Sequence, residues 1–63
     1  MWIISKGYGI IMTDHLLNIW EDVDSGETLA LDHENNPCII SDNLVLDKII
    51  EAKKNNAAFV EVD

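Results

Sequence analysis

The side chains in this chain that could do chemistry are, above all, carboxylates. Nine of them (Asp14, Glu21, Asp22, Asp24, Glu27, Asp32, Glu34, Asp42 and Asp47) lie between Gly7 and Asp47, and no lysine lies among them. Carboxylates serve acid–base catalysis only where a desolvated pocket raises the pKa of one of them. A chain of 63 residues has little room for a cleft of a few hundred Å³. Asp22-Val23-Asp24-Ser25-Gly26 resembles the start of a calcium loop. That geometry needs glycine at its sixth position and a bidentate glutamate at its twelfth; counting from Asp22, Gly26 stands fifth and His33 twelfth. The pattern reads instead as a hairpin turn.

Zinc-ligand types occur in His15, His33 and Cys38. Their spacing matches no common zinc framework, and a closed site needs four ligands. A metal-stabilised domain built on these three is a minor alternative, and no metal or other cofactor is expected. Cys38 as a nucleophile would need a neighbouring base and a lowered pKa, and the acidic surroundings oppose thiolate formation. Ser5, Ser25 and Ser41 fit strand, turn and cap positions. Gly7-Tyr8-Gly9 lacks the remainder of either nucleotide-binding motif. The expectation is a protein without catalytic activity.

The whole-chain balance restricts partners. Twelve acidic and four basic residues give a net charge of −8, with no arginine. Such a surface repels phosphate backbones and anionic headgroups, so direct nucleic-acid or membrane binding is not expected. The single cysteine excludes an internal disulfide and suits a reducing compartment. The apolar start Met1-Trp2-Ile3-Ile4 stops at Ser5-Lys6-Gly7, too short for a signal-peptide core. A cytoplasmic location is expected.

The elements that must position these groups follow from alternation and turn chemistry. Residues 2–6 and 10–12 read as strands around the turn Gly7-Tyr8-Gly9, and Thr13-Asp14-His15 breaks the run. Residues 16–23 admit both strand and helix readings; the short length and the exit Asp24-Ser25-Gly26 favour a strand. In that phase Trp20 lies opposite Leu17 and Ile19. Residues 27–32 and 38–40 are further strands, separated by a polar loop ending at Pro37. Ser41-Asp42-Asn43 offers helix caps, and a helix is expected over 44–54, with Val45, Leu46, Ile49, Ile50 and Ala52 as its apolar stripe. Asn55-Asn56 is a left-handed C-cap, and 57–62 is a last strand. The fold class expected for residues 1–63, taken as one domain, is α+β: a small antiparallel β-meander packed against one α-helix, with a C-terminal strand.

The run Ile11-Met12-Thr13-Asp14-His15-Leu16-Leu17-Asn18-Ile19, followed by Asp24-Ser25-Gly26 and a late Leu46…Ile49-Ile50 helix, resembles small strand-rich proteins of Gram-positive bacteria and their phages. More distantly, the strand–strand–helix order is similar to the FlbD family of short flagellar-operon proteins. That family commonly carries a basic C-terminal tail, where this chain has Ala57 to Val62. In size and charge alone the chain is similar to small acidic phage inhibitors of host defence nucleases. The resemblance implies no functional residues.

Together these readings point to a protein-interaction domain. In the leading hypothesis Trp20, Glu21, Asp22, Asp24, Glu27, Asp32 and Glu34 dock onto a partner protein with a basic surface, imitating nucleic acid and inhibiting by occlusion. The alternative is a structural module that self-associates as a homodimer through an exposed strand edge or a tryptophan face.

Overall fold

Two short apolar runs, Trp2-Ile3-Ile4 and Ile10-Ile11-Met12, build the first hairpin. In the computed structural model, which describes residues 1–63, Trp2–Ser5 forms β1 and Gly9–Met12 forms β2. They run antiparallel, with Ile3 opposite Ile11 and Ile4 opposite Ile10. Gly9 sits at φ +90°, a value that a side chain would resist. One turn of 3₁₀ helix, Thr13–His15, then redirects the chain. It is tied to the N-terminus by Thr13, whose N–H and Oγ1 both donate to the Met1 carbonyl at 3.0 Å.

Leu16–Asp22 (β3), Glu27–Asp32 (β4) and Pro37–Ser41 (β5) follow as an antiparallel meander. Its first turn closes with the Gly26 N–H donating to the Asp22 carbonyl at 2.8 Å, with Gly26 at φ +75°. Its second turn is wound around Asp32, whose carboxylate accepts the N–H groups of Glu34 and Asn36, each at 2.9 Å. The α-helix, α1, spans Leu46–Lys54, and Asn56 ends it at φ 54°. The last strand, β6, is Phe59–Glu61, and it pairs parallel to β1.

The α+β class and the terminal strand agree with the sequence reading, but the sheet arrangement differs. The strands form two sheets of three, β2-β1-β6 and β3-β4-β5. Only the second is an antiparallel meander. Thr13–His15 is the dividing point: its tight turn carries the chain from one layer to the other.

The two inner faces share one core of Ile3, Ala30, Ile40, Val45, Ile49 and Val62, and α1 lies against β3 and β6. Two bulges adjust the meander to this core. One falls between Leu16 and Asn18, so Leu16 and Ile19 both pack on the core while Leu17 is pushed outward, 56% exposed. Leu17 therefore does not share Ile19's environment as simple alternation implies. The other lies opposite Thr28 and Leu29 and turns both Ile40 and Ser41 inward. No helix of the chain is long and apolar enough to cross a membrane.

The helix start also departs from the sequence reading. Ser41 ends β5, and Ser41-Asp42-Asn43 caps nothing; α1 begins at Leu46 after Val45, which makes no side-chain cap. Glu21 supplies the acceptor instead, its Oε1 taking the Leu46 N–H at 3.1 Å. A carboxylate there also suits the positive end of the helix dipole. The segment before the helix is fixed by Thr28, fully buried, whose Oγ1 donates to the Asn43 carbonyl at 2.8 Å and accepts the Val45 N–H at 3.0 Å.

Candidate functional site

Strand phase decides what the meander shows to solvent. Thr28 and Ala30 are buried, so Glu27, Leu29 and Leu31 point away from the core. Trp20 stands opposite Leu29, and Leu29 opposite Ile39, which places an aromatic–aliphatic row across the outer face of all three strands. All three side chains are half-buried. None of the three side chains lines a cavity.

Carboxylates gather beside the row. At one end Asp22 faces Glu27 directly across the β3–β4 pair, and Asp24 lies in the turn that joins them. At the other end Glu34 is exposed in the second turn, whereas Asp32 shares the inward phase of Thr28 and Ala30, stands opposite the core-packed Leu16, and has its carboxylate taken up by its own turn. The length of β4 separates the two ends by roughly 17 Å. Of the seven residues expected to bind a partner, Trp20, Asp22, Asp24 and Glu27 come together at one end of this face. Glu34 lies in the turn at the other end, and Asp32 is on the inner side of β4, opposite Leu16, away from this face. Glu21 is on the inner face, occupied with the helix N-terminus.

Several of these carboxylates also hold local structure. Asp22 Oδ1 accepts the Asp24 N–H at 3.1 Å, shaping the first turn as Asp32 shapes the second. Glu27 has no such bond, and its opposition to Asp22 places like charges in register, which costs stability. The lysine-free stretch leaves this repulsion unneutralised along the chain.

The groups weighed for catalysis or metal binding do not converge. His15 and His33 meet edge to face, ring centroids 5.9 Å apart, and His33 Nε2 lies 3.1 Å from the Asp14 carbonyl. Cys38 is paired with Ala30 and packs on the core side of β5. No three His, Cys, Asp or Glu side chains are grouped as a metal would require. Burial pushes the Cys38 thiol up, and the charge of Asp32 adds to this, against a smaller opposing effect from a backbone hydrogen bond with Ala30. A raised thiol pKa lowers the thiolate fraction and with it nucleophilicity.

Two titrating groups sit at the opposite end of the fold from the histidines. Tyr8 donates its hydroxyl to Asp42 Oδ1. That hydrogen bond is the main reason its pKa lies above the ordinary phenol value, with burial and nearby carboxylates adding to it. Asp63 takes three donors: Ser41 Oγ at 2.6 Å, Asn43 Nδ2 at 2.9 Å and Ser5 Oγ at 2.8 Å. Those bonds, that from Ser41 first, hold its carboxyl below the ordinary range. Ser5 belongs to one sheet and Ser41 to the other, so Asp63 fastens the two layers together.

Pattern reading passed over two parts of the surface. Leu29 and Ile39 complete the Trp20 row, and the signal for them is register, which a single sequence does not carry. The outer face of the β2-β1-β6 sheet is the other. It shows Trp2, Ile10 and Phe59 at 45%, 68% and 55% exposure. Comparison with protein families, with characterised proteins and with solved structures gives no match.

Proposed function

We propose that the chain is a non-catalytic protein-interaction domain that docks its acidic meander face onto a basic protein surface. The observation that carries this reading is the half-buried row Trp20–Leu29–Ile39 with Asp22, Asp24 and Glu27 gathered at one end of it. An apolar centre with a charged rim is the usual layout of a recognition face, with tryptophan a favoured anchor. The paired Asp22 and Glu27 support it further, because a charge arrangement that opposes folding finds its reason in binding.

In this reading the carboxylates act first. Their field draws a lysine- or arginine-rich surface into encounter and sets its orientation. Trp20, Leu29 and Ile39 then exclude water and hold the complex. The acidic group at one end of the apolar strip selects a partner whose basic groups lie beside an apolar patch. A partner that uses the same basic surface for nucleic acid is thereby occluded, with no chemistry on either molecule.

The test is affinity capture from extracts of the native host on immobilised protein, with the triple variant D22N/D24N/E27Q alongside. The reading expects a basic protein that binds the wild-type chain, elutes as salt rises, and binds the triple variant roughly tenfold or more weakly. A specific partner held equally by both proteins and indifferent to salt sinks it.

A further inference from the structure

We infer that the outer face of the β2-β1-β6 sheet is a self-association surface that takes a second copy of this chain. Its centre is Trp2 and Ile4 on β1, Ile10 on β2 and Phe59 on β6. Trp2 is in register with Phe59, and Ile4 with Ile10. These four side chains line a shallow, open apolar basin. No element of the chain covers it, although the other face of the same sheet is the core.

Three observations select a second copy as the occupant. The first is charge. Glu61 is the only carboxylate at a strand position on this face, beside Ile4. A basic partner finds little there to recognise, whereas two copies that each carry −8 can meet there with the least repulsion. The acidic meander lies on the far side of the shared core. The second is area. Trp2 and Phe59 each still present roughly 100 Å², and with the two isoleucines the apolar centre reaches roughly 350 Å². Two such faces with their rims bury roughly 1,000 Å², the lower limit for a specific interface. That size fits a dimer in the micromolar range and not an obligate one. The third is the thinness of the fold. Only nine of its 63 residues are buried, and association is a common supplement in domains of this size.

Stacking two sheets face to face, about 10 Å apart, turns the two meanders outward at opposite ends of the particle. The dimer is then bivalent toward a basic partner, which multiplies retention on any target with two sites. This last consequence rests on the proposed function. The dimer itself does not.

The experiment is the solution mass of the full chain by sedimentation or light scattering, from about 5 to about 500 µM, the range in which an interface of this size titrates. The wild-type mass should climb from 7.1 kDa toward twice that value. Ile10→Lys and, separately, Phe59→Lys should stay monomeric with an unchanged far-ultraviolet spectrum. Both positions are exposed and on different strands, so one poorly folded variant leaves the other to report. D22N/D24N/E27Q should dimerise as the wild type does. A wild-type chain at 7.1 kDa throughout overturns the inference, as does a folded lysine variant that dimerises normally. A dimer lost only in the triple variant also overturns it, by moving the contact to the meander.

Discussion

Replacing Thr28 by valine tests how the fold holds the start of its helix. The side chain is fully buried, and its hydroxyl serves two backbone groups, the Asn43 carbonyl at 2.8 Å and the Val45 N–H at 3.0 Å. Valine keeps the shape and strands both groups. The Val45 N–H is enclosed and loses its only partner, which costs roughly 1–3 kcal/mol; the Asn43 carbonyl is nearer to water and adds a fraction of that. A total of about 2–3 kcal/mol is large against the roughly 3–9 kcal/mol expected for a domain of this length. The unfolding entropy of such a chain is about 0.13 kcal/mol/K, so the Tm should fall by roughly 15–23 °C. Thr28→Ser keeps the hydroxyl and gives up one buried methyl, at about 1 kcal/mol. Thermal and urea unfolding followed by tryptophan fluorescence measure both. A valine variant within about 0.5 kcal/mol of wild type, or a serine variant as damaged as valine, would refute the reasoning.

Three further outcomes are expected. Asp63 has its carboxyl held below the ordinary range in the folded chain by Ser41, Asn43 and Ser5. The stability it contributes is therefore present above the unfolded pKa of about 4 and is lost as pH falls through the folded value; D63N should flatten that part of the acid-unfolding curve, and an unchanged curve contradicts the clasp. Tyr8, the only tyrosine, should form tyrosinate at higher pH than a free phenol, and D42N should bring its absorbance titration back down, because the hydrogen bond to Asp42 is the largest cause of the shift. Glu27→Lys replaces a like-charge pair with Asp22 by an opposite one, so it should stabilise the fold by roughly 0.2–1 kcal/mol in denaturant unfolding while weakening partner binding. A variant that gains stability and binds unchanged separates the acidic pair from the face.

The turns and most elements are legible in the sequence because their causes are local. Gly26 and Asn56 are readable as left-handed positions; the phase of Glu27–Asp32 is not, because its small residues Thr28 and Ala30 are buried while the larger Leu29 and Leu31 face outward. What local pattern does not carry is register between distant segments. Trp20 reads as a candidate anchor, but its neighbours Leu29 and Ile39 become so only once three strands are aligned. Ser41-Asp42-Asn43 has the chemistry of a helix cap, yet the Leu46 N–H is met by Glu21, 25 positions earlier. The bulges follow the demand of the core for Leu16 with Ile19 and for Ile40 with Ser41, a tertiary requirement. Likewise, the parallel pairing of β6 with β1 joins the two ends of the chain and splits what reads as one meander into two layers. The charged part of the candidate site is visible as composition; the inward turn of Glu21 and Asp32, away from Asp22, Asp24 and Glu27, is not.

The most direct test of the account is the affinity of the captured partner for the purified chain, measured across a salt series beside D22N/D24N/E27Q. An acidic docking face gives wild-type affinity that falls steeply with ionic strength and a weaker, flatter dependence for the triple variant. Equal affinities with equal slopes would contradict it.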